Sequence, residues 1–139
     1  MCDINRFYIC EFCGNVIGMI HDAGVPVMCC GEEMTKLKPG TTDGSQEKHA
    51  PVVSVKENLV KVSVGSVFHP MEEDHSFQWV YLQTDKGGHR KCLEIGKEPT
   101  VSFALVEEKP IAAYDHFQSL ARNGRIRESI LQQSLWQLL

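Results

Sequence analysis

Leu59-Val60-Lys61-Val62-Ser63-Val64 is the stretch that decides the fold. Over most of its length apolar and polar residues alternate. That period of two belongs to a strand with one buried face, not to a helix. Downstream, Phe77-Gln78-Trp79-Val80-Tyr81-Leu82 and Thr100-Val101-Ser102-Phe103-Ala104-Leu105-Val106 are rich in β-branched and aromatic residues. Lys91-Cys92-Leu93-Glu94-Ile95 reads as a weaker strand. Turn residues separate these runs at Glu57-Asn58, Asp85-Lys86-Gly87-Gly88 and Gly96-Lys97-Glu98-Pro99. Short strands at this spacing predict an antiparallel β-sandwich beginning near Pro51.

Past the last strand the pattern changes. Arg125 to Leu139 contains neither Gly nor Pro, and Ile130, Leu131, Leu135 and Leu138 fall on one arc of a helical wheel. The segment is expected to be a short amphipathic helix covering the sandwich or a dimer contact.

Upstream, Lys38-Pro39-Gly40-Thr41-Thr42-Asp43-Gly44-Ser45 reads as a linker. Residues 1–38 hold five of the six cysteines and few long apolar runs. So small a piece buries little surface and needs a metal to fold. Phe7-Tyr8-Ile9 and Val16-Ile17-Gly18-Met19-Ile20 are expected as strands around a turn at Cys13-Gly14. The organisation read from the chain is therefore a metal module over 1–38, a sandwich over 39–116 and a tail over 117–139.

Cys10-Glu11-Phe12-Cys13 and Cys29-Cys30 supply four sulfurs, and Gly14 and Gly31 follow the two pairs. Two cysteines separated by two residues can aim both sulfurs at one ion, and four thiolates in a tetrahedron suit iron or zinc. Spacing alone leaves the two metals open, although an adjacent Cys-Cys pair is unusual for zinc ribbons. Cys2 reads as a spare thiol and Cys92 as a core residue of its strand.

The 139 residues carry a net charge of −4, which argues against a nucleic-acid binder. No run approaches the roughly 18 apolar residues of a membrane span. The N-terminus lacks a signal-peptide pattern, so a cytoplasmic location is expected, where clustered cysteines serve metals rather than disulfides. Histidines gather around the start of the sandwich: Glu47-Lys48-His49, then His69-Pro70-Met71-Glu72-Glu73-Asp74-His75. Neutral imidazoles suit ferrous iron and zinc. The carboxylates between His69 and His75 read as a solvated turn.

Taken together, Cys10-x-x-Cys13 with Cys29-Cys30-Gly31-Glu32, Glu47-Lys48-His49-x-Pro51, and Val64-Gly65-Ser66-Val67-x-His69-Pro70-Met71-Glu72-Glu73-x-His75 resemble the desulfoferrodoxins, the two-iron superoxide reductases. The resemblance runs from about residue 7 to residue 114. It implies a small desulforedoxin-like four-cysteine iron module followed by an immunoglobulin-like sandwich, as a homodimer. By the same resemblance His49, His69 and His75 are equatorial ligands of a second, non-haem iron. Lys48 places a positive charge near its open position, and Glu47 is the carboxylate that binds the ferric ion. The resemblance likewise implies superoxide as substrate, hydrogen peroxide as product and a rubredoxin-like protein as the electron donor.

The sequence departs from the family at the end. Ala112-Ala113-Tyr114-Asp115-His116 reaches the last motif, but Phe117 stands where the axial cysteine belongs and Leu120 where the fourth histidine belongs. His116 is a candidate substitute ligand. Without the thiolate, superoxide reduction is expected to be slow or absent. Three readings stay open: a weakened superoxide reductase, an electron-transfer protein using only the thiolate-bound iron, and a structural module stapled by zinc.

Overall fold

The computed structural model describes residues 6–38, 51–64, 75–120 and 126–135, and every helix or strand among them is a strand. Residues 6–38 form a knuckle. Its central strand β1 (Arg6–Ile9) pairs antiparallel with β2 (Val16–Met19) on one side and β5 (Thr35–Lys36) on the other. A minimal hairpin, β3 (Met28–Cys29) and β4 (Glu32–Glu33), stands apart. Its two turn residues, Cys30 and Gly31, both have positive φ, 54° and 77°. A two-residue hairpin that follows the natural twist of the strands needs this backbone, and glycine accepts it without strain while cysteine does not.

The sandwich has two sheets. The first is β6 (Pro51–Lys56), β7 (Leu59–Val64) and β10 (Thr100–Ala104), with β7 in the middle. The second runs β12-β11-β8-β9: β12 (Ile126–Leu135), β11 (Pro110–Leu120), β8 (His75–Thr84) and β9 (Gly87–Cys92). The alternation at Leu59–Val64 does what its period predicts. Val60, Val62 and Val64 point inward and meet Val80, Leu82, Phe103, Leu105 and Ala113. Burying each of these larger side chains contributes about 1.5–3 kcal/mol.

Strands β8 and β11 are buried on both faces. Val80, Leu82 and Ala113 face the sandwich core. The intervening residues Trp79, Tyr81, Ala112 and Tyr114 face the other way, where Phe7 and Leu37 of the knuckle cover them. That double burial explains why the β8 segment reads as a nearly continuous apolar run instead of an alternating one.

Three expectations need correction. Residues 126–135 form a strand, not the predicted helix. Strand β11 continues to Leu120 and offers a free edge, and β12 pairs with it from Ala112↔Leu135 to Leu120↔Ile126. The ladder pairs nine of the ten residues of β12, whereas an isolated helix of similar length would be only marginally stable. Second, the strand around Cys92 begins at Gly87, because Asp85-Lys86 alone makes the turn. Third, Cys92 is exposed on this edge strand, not core. The linker read at 38–45 lies, from residue 39 on, outside the described residues.

Candidate metal centre

Each element of the knuckle delivers a sulfur. Cys10 leaves the end of β1, and the chain reverses at once: Gly14 N–H donates to Cys10 O at 2.8 Å and Cys10 N–H donates to Asn15 O at 2.8 Å. Gly14 has φ 87°, the conformation this reversal requires. The loop swings Cys13 back beside Cys10, and the β3–β4 hairpin supplies Cys29 from its strand and Cys30 from its turn. The vicinal pair thus works because one member sits in the ladder and the other in the left-handed turn.

The four sulfurs all lie within 4.8 Å of one another, and Cys13 Sγ is 3.6 Å from Cys29 Sγ. A tetrahedral ion with metal–sulfur bonds of about 2.3 Å needs sulfurs about 3.8 Å apart. The donor set therefore fits a single thiolate-bound iron or zinc. Its members are unequal. Cys10 is buried, Cys29 half-buried, and Cys13 and Cys30 exposed. Hydrogen bonding from the Cys13 backbone N–H lowers the Cys10 thiol to about 7, and Phe12 N–H adds to the effect. Hydrogen bonds to Cys13 and then Cys10 raise Cys29, and they push Cys30 up to about 12. Asn15 Nδ2 also donates to Cys29 Sγ at 3.6 Å.

The histidine set is only partly in view. Glu47, Lys48, His49 and His69 lie outside the described residues, as does the side chain of His75; the His75 backbone opens β8 opposite Ser119. His116 is buried in β11 at 1% exposure. Its ring stacks on Trp79 with centroids 5.3 Å apart and planes 11° from parallel. Burial lowers its pKa to about 4, so it is a neutral imidazole at ordinary pH. Phe117 and Leu120 continue β11 and pair with Ile130 and Ile126 of β12.

Two features escape a reading of the sequence. Asp115 is fully buried, neither carboxylate oxygen has a hydrogen-bond partner, and desolvation raises its pKa well above the usual carboxylate value. The other is the aromatic cluster around Phe7, whose ring lies 5.3 Å from Trp79, 5.3 Å from Tyr81 and 5.6 Å from Tyr114. The run of aromatics at 77–81 was the available signal for a second covered face.

Comparison with known proteins follows the same division. Residues 41–118 match the family model described as desulfoferrodoxin, and residues 3–37 match the desulfoferrodoxin N-terminal domain. This chain belongs to the desulfoferrodoxin family. A desulfoferrodoxin of Nitratidesulfovibrio vulgaris is 43% identical over 107 residues, which cover 77% of this chain and 85% of that protein. A desulfoferrodoxin homologue of Archaeoglobus fulgidus is 38% identical over 125 residues, 89% of this chain and all of that one. Among solved structures, the superoxide reductase of Treponema pallidum superposes with a TM-score of 0.73 at 32% identity, covering 94% of this chain and 98% of the other. The mainly β desulfoferrodoxin fold and its four-cysteine site are thus established for this chain.

Proposed function

We propose that this desulfoferrodoxin is a superoxide reductase whose second site is weakened. The match over residues 41–118 carries the reading, together with the four converging sulfurs. The relative from Treponema pallidum is itself named a superoxide reductase. The reaction adds one electron and two protons to superoxide and releases hydrogen peroxide.

Ferrous iron, when bound, supplies that electron. His49, His69 and His75 would hold it as neutral donors. The Lys48 ammonium draws the anionic substrate in and steadies charge building on its oxygens. Glu47 offers a carboxylate to the oxidised ion. Cys10, Cys13, Cys29 and Cys30 hold iron for electron transfer, with zinc as the alternative occupant. A rubredoxin-like donor, a homodimeric assembly and a cytoplasmic location complete the proposal.

A second reading has its own support. By the family resemblance Phe117 and Leu120 would stand where a cysteine and a fourth histidine ligand are expected, and both pair with β12 in the strand ladder. On that reading the chain only transfers electrons or holds a structural metal. Metal analysis of protein from iron-supplied cells, followed by stopped-flow mixing of the reduced protein with superoxide, separates the two. The expected result is two irons per chain and superoxide consumption slower than in a relative with an intact Cys-x-x-His. One metal per chain and no consumption would leave only the second reading.

A further inference from the structure

Among the described residues the four-cysteine knuckle and the sandwich pack together through Phe7 and Leu37, with Phe7 at the centre of the contact. Phe7 belongs to β1, the strand that ends at Cys10, yet it is 5% exposed because sandwich residues enclose it. Its ring touches Trp79 and Tyr81 of β8 and Tyr114 of β11. On the far side of this contact Trp79 stacks flat on the buried His116. Leu37 joins the same cluster, and its N–H donates to Phe7 O at 2.8 Å. Phe7 is thus held from the knuckle side by β2 and β5 and from the sandwich side by three rings.

The knuckle has little else to fold on. Its buried apolar side chains are Phe7, Ile9, Cys10 and Met34. A module with so small a core takes its folding free energy from the ion its cysteines bind. Loss of that ion therefore loosens β1, and Phe7 is the β1 side chain lodged among the sandwich rings.

We infer that metal occupancy of the cysteine knuckle is transmitted through Phe7 to the Trp79–His116 stack in the sandwich. Phe7 is a positioning residue in this scheme: it touches no ligand and acts through Trp79. With the ion bound, Phe7 covers part of the outer face of the second sheet, where Trp79 and Tyr81 stay partly open. With the ion removed, Trp79 becomes more exposed to water and the covering of His116 is lost. Because binding free energies are reciprocal, the sandwich rings must equally tighten the metal in the knuckle. The inference needs only the four-sulfur site and stands whether or not the protein reduces superoxide.

The test uses the full chain with Trp136→Phe, which leaves Trp79 as the single tryptophan of the two in the sequence. Zinc fills the knuckle, because it adds no absorption that would quench fluorescence. Removing zinc with a chelator should red-shift Trp79 emission and speed its quenching by acrylamide, and adding zinc back should reverse both. Emission that is the same with and without zinc overturns the inference. In Phe7→Ala the emission should already be red-shifted with zinc bound and should no longer respond to chelation. A wild-type response in that variant also overturns it. The reciprocal measurement is cobalt affinity, read by thiolate charge-transfer absorption that reports only the cysteine site. Trp79→Leu should weaken it by about five- to a hundredfold; unchanged affinity overturns the coupling.

Discussion

Asp115 and His116 are neighbours on β11 with opposite proton preferences. Asp115 is fully buried without a partner for either oxygen. An unsatisfied buried polar group costs about 1–3 kcal/mol, and replacing it with an apolar one of similar size removes that cost. Asp115→Leu should therefore raise stability at pH 7 by about 2 kcal/mol, measured as a higher urea midpoint. His116 carries the opposite slope. Its folded pKa of about 4 lies below its ordinary value of 6.5, so between those values the unfolded chain binds the extra proton. Its contribution is fully present above pH 6.5 and is lost as pH falls towards 4, by about 3 kcal/mol. Asp115 opposes this slope, because its raised pKa makes the folded state the stronger proton binder above pH 3.8. In the Asp115→Leu background, His116→Phe should flatten the acid limb of stability measured by urea titration from pH 7 to pH 4. At this scale the cysteines were legible, because metal spacing is local in sequence. Asp115 was not, because its burial depends on strands far along the chain.

At the scale of elements, hairpin β8–β9 shows how tightly the second sheet is fitted. A Cβ on Gly88 would overlap the ring and hydroxyl of Tyr81 across the hairpin. Tyr81 cannot yield freely, since its ring also packs against Phe7. Gly88→Ala should thus cost about 1–3 kcal/mol, the usual penalty of overpacking, seen as a lower melting temperature. The strands themselves were readable where one face is buried: Leu59–Val64 appears with its predicted limits as β7. The tail was misread because its apolar residues fit a helical arc as well as a strand. What tipped the balance is the open edge of β11, a tertiary feature that periodicity does not report. Likewise Cys92 lies in a strand as expected but on an exposed edge, which a single strand's composition does not disclose.

At the scale of the whole molecule, the two parts were legible but their union was not. Nothing near Phe7 in sequence announces that its partners are Trp79, Tyr81 and Tyr114. The metal centre also sets a dependence on solution conditions. Cys29 and Cys30 are held protonated above the usual thiol range, and a bound ion must displace both protons. Affinity should therefore rise with pH near neutrality by at least about a hundredfold per unit, as two protons leave per ion bound. Competition against a chelator of known affinity at several pH values checks this; a slope of one proton or fewer would contradict it.

The unequal placement of the four sulfurs has a chemical consequence for the emptied knuckle. Cys10, the sulfur that sheds its proton most easily, is walled in, while Cys30, open to solvent, keeps its proton firmly. Attack on an electrophile or a peroxide needs a thiolate that is also within reach. While the knuckle keeps its fold neither Cys10 nor Cys30 meets both conditions, but once loss of the ion loosens β1 the Cys10 sulfur, the readier thiolate, becomes the one open to attack.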